Sequence, residues 1–314
     1  MPSRRSQRTM DMLRAHRRFF QNASNQMLEL VQLSDEGVAE LNVFGTKGRL
    51  MKDKDCHVPA LLVQPRRVIT NDAVLLHFHG GAYVSGNMLQ ARMVISPISA
   101  EAKLQGVTFT YRLAPEYAFP AQLDDAMEVY RMVLRYGARP DRIGFVGESA
   151  GGNLALALAL KLRDMGETLP GAICLLSPWT DPAQTGESYR TLRDVDATLN
   201  PEELMQSALG FVGGDAEKFK DPLVSPIYAD FTGFPPTQIH AGESEILLSD
   251  SKTLAEHMRR DGVEVSFLRW VGMPHVFQVY GFDESRASIK TMGDFLSSTL
   301  TTRKRGAVRG RQTT

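Results

Sequence analysis

Short apolar runs rich in β-branched residues alternate with longer segments of helical periodicity through most of this chain. Such alternation predicts strands connected by helices. The predicted strands are at 58–65, 73–79, 106–112, 142–148, 171–178, 237–242 and 263–270, and the predicted helices are at about 88–104, 120–136, 150–165, 248–261 and 283–300. Because strands joined by helices usually pair in parallel, we expect an α/β protein with a mostly parallel central sheet and helices on both faces.

Two segments do not follow this alternation. Residues 1–50 have the apolar spacing of helices, whereas residues 183–232 contain another helical pattern and are too long for a simple crossover. We expect both to form a helical cap over the carboxyl ends of the strands, where such sheets bind ligands. The expected organisation is an N-terminal part of the cap at 1–50, an α/β core at 51–182 and 233–302, a cap insertion at 183–232, and a basic, disordered tail at 303–314.

The composition narrows the class of protein. The chain has 36 basic and 36 acidic side chains, so no net charge attracts a nucleic acid, and we interpret its basic ends as solvated termini. No apolar run is long enough for a membrane span or a signal peptide. Cys56 and Cys174 have no metal-ligand spacing and cannot build a disulfide framework. We therefore expect a cytoplasmic protein with no metal, nucleic-acid partner or membrane span.

The tripeptide GES occurs twice, and its first copy lies in a G-x-S-x-G pattern. Ser149 stands between a predicted strand and a predicted helix, with Gly147 before it and Gly151 after it. A nucleophilic serine is held on this kind of strand-to-helix turn, and glycines leave room for the tight backbone. The alternative is that the Ser149 hydroxyl only caps the helix.

Two further segments favour the nucleophile interpretation. Small residues follow the predicted strand at 73–79, in the order His79-Gly80-Gly81-Ala82, and a loop of this kind lets backbone N–H groups approach a developing oxyanion. His275 lies in a loop after the last predicted strand, where it could accept the proton of the serine.

The second GES precedes a group of carboxylates rather than a helix. Ser244 has no glycine two residues later and so fails the test for a nucleophile turn. Glu243, Glu245 and Asp250 all follow the predicted strand at 237–242, and any of them could bind the far nitrogen of the histidine. Asp221, in a predicted turn, is a further candidate.

The sequence resembles the hormone-sensitive lipase family of α/β-hydrolases, the bacterial family IV esterases. The matching stretches occur in the family's order: HFHGGAYVSG at 77–86, YRLAPEYAFPAQLDDA at 111–126, GFVGESAGGNLA at 144–155, LLSPWTD at 175–181, DPLVSPIYAD at 221–230, PPTQIHAGESEILLSDS at 235–251 and GMPHVFQ at 272–278. The resemblance covers about residues 60–300 and implies the α/β-hydrolase fold with a helical cap.

The resemblance also implies roles for individual residues. The backbone N–H groups of Gly81, Ala82 and Ala150 would form the oxyanion hole, and His79 and Gly80 would support it.

Among the candidate acids, Glu245 stands where the family has its triad aspartate. Two residues depart from the family pattern: Ala82 replaces a glycine, and Glu148 replaces an aspartate. We expect Ala82 to trim the substrate pocket and Glu148 to remain a supporting residue.

The function implied is that of a serine carboxylic-ester hydrolase, a carboxylesterase or lipase-like enzyme. It would act on short- to medium-chain acyl esters through an acyl-enzyme, with no cofactor. Hydrolysis of a terpenoid ε-lactone is one alternative, and a non-catalytic small-molecule receptor is another. Related receptors lack the triad histidine, so the presence of His275 argues for catalysis.

The surroundings of the site are predicted less directly. Candidates for the wall of the substrate pocket are Tyr83, Trp179, Met205 and Phe211, with packing in the core as the alternative for each. By resemblance, a homodimer could form through the strand at 263–270.

Overall fold

The computed structural model describes residues 2–15 and 33–302, and its centre is an eight-stranded sheet. The strands are β1 Thr46–Leu50, β2 Ala60–Pro65, β3 Val74–Phe78, β4 Gln105–Phe109, β5 Ile143–Glu148, β6 Ala172–Leu176, β7 Thr237–Gly242 and β8 Val265–Trp270. Their order is β1-β2-β4-β3-β5-β6-β7-β8. β2 pairs antiparallel with β1 and β4, and all the other pairs are parallel.

Helices cover both faces of this sheet. They are α1 Arg4–Ala15, α2 Asp35–Glu40, α3 Met88–Ala102, α4 Ala121–Arg135, α5 Ala150–Asp164, α6 Ser188–Thr191, α7 Pro201–Phe211, α8 Leu248–Arg260 and α9 Asp283–Thr301. Successive strand residues point to opposite faces. Leu76 accordingly packs with the apolar side chains of α4, α5 and α8, whereas Leu75 packs with those of α3 and α9. The predicted fold class is confirmed.

All seven predicted strands are present, with ends within three residues of those predicted. The prediction that residues 1–50 are largely helical is wrong for Thr46–Leu50, which is the antiparallel edge strand β1. Its sequence, TKGRL, has only one large apolar residue, so it lacks the apolar pattern that predicts a strand. β1 is an edge strand, and its lysine and arginine are exposed, as is common at sheet edges. The predicted helical stretch between 16 and 32 and the tail at 303–314 lie outside the described residues.

The two predicted cap segments pack in different places. Met10 and Leu13 of α1 pack with Met273 and Phe277, which flank His275 in the chain. The insertion at 183–232 contains α6, α7 and two 3-10 turns, Ala216–Lys220 and Pro226–Tyr228. Its apolar side chains share a core cluster with the face of the sheet that α5 covers. The division into core and cap stays a prediction.

A buried arginine ties the N-terminal segment to helix α3. Arg92 is fully buried, and its guanidinium donates hydrogen bonds to the carbonyl oxygens of Val38, Leu41 and Thr46. Burial lowers the pKa of Arg92, and within the described residues it forms no ion pair. Three carbonyl groups at the end of α2 and the start of β1 therefore depend on one side chain.

We expect Arg92→Ala to lower the free energy of unfolding by about 3 kcal/mol, because buried carbonyl groups lose their donor. The measurement is urea unfolding at neutral pH. Arg49→Ala, which truncates an exposed arginine on β1, is the matched control and should change the free energy by about 0.5 kcal/mol or less. Equal effects of the two substitutions would contradict this account.

Candidate active site

The loops after five parallel strands meet at one edge of the sheet. β3 leads into His79, β5 into Ser149, β6 into Ser177, β7 into the turn with Glu245, and β8 into the turn with His275. Carboxyl ends of parallel strands point the same way, so the register of the sheet alone brings these segments together.

Ser149 occupies a strained turn between β5 and α5. Its φ is +55°, in the left-handed region that residues with a Cβ seldom adopt. A Cβ on Gly151 would lie 1.9 Å from the carbonyl oxygen of Phe78, and one on Gly147 would lie 2.4 Å from that of Gly151. Both glycines of the G-x-S-x-G pattern are therefore required by the backbone packing. The Ser149 hydroxyl makes no capping hydrogen bond, so it does not serve as the helix cap that the alternative required.

The loop after β3 presents backbone donors. Gly81, Ala82 and Tyr83 have φ values of +113°, +52° and +66°. In the part of the chain that the structure describes, the N–H groups of Gly81, Ala82 and Ala150 have no hydrogen-bond acceptor. The N–H of Gly80 differs, because it is already bonded. These three N–H groups are therefore free to donate to a bound group.

A buried carboxylate holds this loop against β5. Glu148 accepts a hydrogen bond from the N–H of Gly80 at 2.7 Å through Oε1, and its Oε2 lies 2.7 Å from Nε2 of His77. The other ring nitrogen of His77 bonds the hydroxyl of Thr108 at 2.9 Å. His77 is thus a buried residue with both ring nitrogens hydrogen-bonded, and Glu148 connects the Ser149 turn to the donor loop.

His79 braces the same loop from below. Its Nδ1 donates to the carbonyl oxygen of Gly80 at 2.7 Å, and its ring stacks on Tyr111 with 4.0 Å between the ring centroids. Burial lowers the pKa of His79 to about 4, so the ring is neutral at pH 7. His79 and Gly80 are therefore bonded to each other in this loop, and their supporting role stays a prediction.

The acid and the histidine are in direct contact. Oε2 of Glu245 lies 2.6 Å from Nδ1 of His275, and the Glu245 carboxylate is fully buried. Oε1 of Glu245 accepts from the Ser177 hydroxyl at 2.8 Å and from the N–H of Gly242 at 2.7 Å. Because Nδ1 carries the proton of this bond, Nε2 of His275 is the nitrogen able to accept another proton.

The other candidate carboxylates lie elsewhere. Asp250 accepts from the N–H groups of Thr180 and Asp181, and burial raises its pKa well above the usual range. Glu243 is partly exposed, 3.8 Å from Arg269. Asp221 accepts from the N–H of Leu223 within a turn. Glu245 is the one among the four that bonds His275.

The predicted pocket wall needs correction. Tyr83, Trp179 and Phe211 are each at most 1% exposed, and the Tyr83 and Phe211 rings stack with 3.8 Å between centroids. The hydroxyl of Tyr83 donates to Oδ1 of the buried Asn153 at 2.9 Å. These three aromatics are core residues, because Phe211 of the insertion at 183–232 packs in one apolar cluster with Tyr83 and Trp179. Only Met205 is partly exposed.

Sequence reasoning missed three residues that hydrogen-bond the turn at Glu245 and Ile246. Ser177 bonds Glu245 directly, although nothing in LLSPWTD distinguishes its hydroxyl from any other. Asp196, in the cap insertion, is fully buried and accepts from the N–H of Ile246 at 2.8 Å. The hydroxyl of Ser188 donates to the carbonyl oxygen of the same isoleucine. The insertion at 183–232 is therefore bonded to the turn that carries Glu245.

The buried His240 of β7 is hydrogen-bonded to Ser177, which in turn bonds Glu245. His240 accepts hydrogen bonds at Nδ1 from Trp270 at 3.1 Å and from Ser288 at 2.9 Å, and its Nε2 donates to Gln238 at 2.9 Å. Its carbonyl oxygen accepts from the N–H of Ser177. Burial lowers the pKa of His240 to about 3. A second proton on the His240 ring would lie on Nδ1, facing the N–H of Trp270 and the hydroxyl of Ser288, which already donate to that nitrogen.

Comparison with known proteins identifies the class. The sequence pattern of a family described as alpha/beta hydrolase fold matches residues 75–279. An esterase of Acinetobacter venetianus is 34% identical over 72% of this chain and 75% of its own length, and an acetyl-hydrolase of Streptomyces hygroscopicus is 36% identical over 76% and 80%. The crystal structure of an esterase from the bacterial hormone-sensitive lipase family superposes with a TM-score of 0.83, at 33% identity, over 96% of this chain and 99% of that one.

The fold and the site define an α/β-hydrolase. The chain belongs to the hormone-sensitive lipase family within that class, and it is a carboxylesterase or lipase-like hydrolase. Within the described residues, 2–15 and 33–302, the structure has no cluster of three or more histidine, cysteine or acidic side chains that could bind a metal. The same residues include no helix with the length and apolar character of a bilayer span.

The low pKa of His240 predicts a loss of stability in acid. The unfolded chain binds a proton near pH 6.5 and the folded chain only near pH 3, so this contribution is complete above pH 6.5 and is lost as the pH falls. The expected loss is about 2 kcal/mol between pH 7 and pH 5. Urea unfolding of the wild type and of His240→Gln at both pH values measures it as the difference between their slopes.

His57→Gln, which removes an exposed histidine, is the matched control for this measurement. The same change of unfolding free energy with pH in the wild type and in His240→Gln would show that His240 is not the group responsible.

Proposed function

We propose that this protein hydrolyses carboxylic esters with Ser149 as nucleophile, His275 as general base and Glu245 as the acid that orients the histidine. The observation that carries the proposal is the 2.6 Å hydrogen bond between Glu245 and His275, formed at the sheet edge where the strained Ser149 turn lies. The carboxylate keeps the proton on Nδ1, so that Nε2 can accept the proton of the serine hydroxyl.

The reaction follows from these roles. Ser149 Oγ attacks the carbonyl carbon of the ester while its proton passes to Nε2 of His275. The bond to the alcohol oxygen then breaks, and His275 returns the proton to the leaving alcohol. Water repeats the attack on the acyl-enzyme, releasing the carboxylic acid and restoring Ser149. No cofactor takes part in any step.

The negative charge of each tetrahedral intermediate is stabilised by the N–H groups of Gly81, Ala82 and Ala150. Their freedom from other acceptors supports this role. Donors fixed in advance stabilise the oxyanion without a cost of reorganisation during the reaction. Ala82 retains its N–H donor. Its φ of +52° is less favourable for alanine, which has a methyl group, than it would be for glycine.

The substrates proposed are short- to medium-chain acyl esters. The Streptomyces relative is named an acetyl-hydrolase, which supports a small acyl group. Lactone hydrolysis uses the same machinery and is the second candidate. The direct bond of Glu245 to His275 favours both over a non-catalytic receptor.

Three further expectations stay predictions. Residues 1–50 and 183–232 would form the cap that selects the substrate. A homodimer would form through β8, which lies at the edge of the sheet. The cytoplasmic location rests on the composition alone.

We expect Ser149→Ala to lower kcat by on the order of 10⁶, because the nucleophile is removed and only binding and oxyanion stabilisation remain. Hydrolysis of p-nitrophenyl butyrate measures the rate, and mass spectrometry after treatment with an organophosphonate locates the labelled residue. Ser244→Ala is the matched control and should be nearly silent, since its hydroxyl makes no hydrogen bond within the described chain. Retained turnover in Ser149→Ala would defeat the assignment.

A series of p-nitrophenyl esters tests the substrate class. We expect kcat/KM to be highest between acetate and octanoate and about tenfold lower for laurate, because a site matched to a small acyl group, as the acetyl-hydrolase relative suggests, excludes the added methylenes. A parallel panel of ε-lactones decides between the two hydrolase candidates. Faster opening of a lactone than of any acyclic ester would replace the ester proposal, and absence of all turnover and labelling would favour the receptor.

A further inference from the structure

Ser177 lies directly after β6 with an unusual backbone conformation. Its φ is +46°, although it is not a glycine and precedes Pro178. A residue before proline ordinarily adopts an extended conformation, so this one is held by its surroundings. The residue is fully buried.

The Ser177 hydroxyl joins the acid to the histidine turn. It lies 2.8 Å from Oε1 of Glu245 and 3.2 Å from the backbone nitrogen of Val276, the residue after His275. A carboxylate can only accept and a backbone N–H can only donate. The single hydroxyl proton therefore points to Glu245, while the oxygen accepts from Val276. Both hydrogen-bonding directions of this hydroxyl are thereby used.

Leu176 and Trp179, which flank Ser177 and Pro178 in the chain, are both hydrogen-bonded to the backbone of Ser149. The N–H of Ser149 donates to the carbonyl oxygen of Leu176 at 2.9 Å, and the N–H of Trp179 donates to the carbonyl oxygen of Ser149 at 3.0 Å. One short segment, 176–179, is thus bonded to the nucleophile, the acid and the histidine turn. Within the described residues, no other segment bonds all three.

We propose that Ser177 is a positioning residue for ester hydrolysis, a role that rests on the proposed function and deepens it. Its hydroxyl fixes the rotation of the Glu245 carboxylate, so that Oε2 faces Nδ1 of His275. It also fixes the turn at Val276, whose φ of +45° is strained for a β-branched residue. Through Leu176 and Trp179, both parts are held in register with Ser149.

The alternative is that Ser177 serves only as a small residue in a crowded place. Alanine would then replace it without loss, because the two side chains differ by one hydroxyl. The two interpretations predict different kinetics. A residue that acts through Glu245 should change the chemical step and not substrate binding, and its effect should disappear once the acid itself is disabled.

We expect Ser177→Ala to lower kcat about 10- to 100-fold with little change in KM, the effect of one lost hydrogen bond to a charged group. Ser177→Gly should show the same loss, and glycine accepts a φ of +46° without strain. Glu245→Gln alone should lower kcat by about 10⁴. Adding Ser177→Ala to Glu245→Gln should cost about twofold or less.

A spectroscopic readout is independent of turnover. In the wild type, the proton between His275 and Glu245 should give a low-field ¹H NMR resonance, which Ser177→Ala should shift or broaden. Ser244→Ala is the matched control, because it removes a serine hydroxyl from the acid turn itself and should leave both kcat and the resonance unchanged.

The proposal is overturned by kcat within about twofold of wild type in both Ser177 variants, or by an undiminished loss in the Glu245→Gln background. Failure of both variants to fold, seen by thermal unfolding, would assign Ser177 to stability and also overturn it. A wild-type protein with no ester turnover and no phosphonate labelling would instead defeat the proposed function. The two failures are therefore distinguishable.

Discussion

The buried carboxylate of Glu245 is the group on which the arrangement of the site depends. A carboxylate removed from water is costly unless donors replace its hydration. Here the donors come from three places: Gly242 in the same turn, Ser177 after β6 and His275 after β8. All three must be present together, so the register of β6, β7 and β8 is part of the chemistry of the site as well as of the fold.

The Ser149 turn depends on a second buried carboxylate. Glu148 precedes Ser149 and bonds the N–H of Gly80, so the loop of backbone donors is attached to the strand that leads into Ser149. The backbone here is strained as well as bonded. Of the eight non-glycine residues with positive φ in the described chain, five lie in or beside the site: Ala82, Tyr83, Ser149, Ser177 and Val276. Such conformations persist where surrounding contacts outweigh their cost, and they concentrate at functional sites.

The segments outside the core also contribute to the acid and histidine turns. Asp196 of the insertion bonds the residue after Glu245, and Met10 of α1 packs with Met273 and Phe277 around His275. The position of Glu245 therefore depends on the insertion, and the position of His275 on α1. Packing of the insertion also explains why Tyr83 and Trp179 are core residues: Phe211 of the insertion shares their apolar cluster.

Strands β2 to β8, the Ser149 turn and the loop position of His275 could be predicted from the sequence, because they depend on local periodicity and on the glycines two residues before and after Ser149. The sequence left Glu243, Glu245 and Asp250 open, since which carboxylate faces the histidine depends on side-chain directions in a turn and on a partner thirty residues away. The sequence did not predict β1, because TKGRL has no apolar strand pattern and the strand forms through its backbone pairing with β2. The hydrogen bonds of Ser177 and the burial of Tyr83, Trp179 and Phe211 could not be predicted in this way. The partners of these residues come from segments distant in the chain, so only the tertiary structure brings them together.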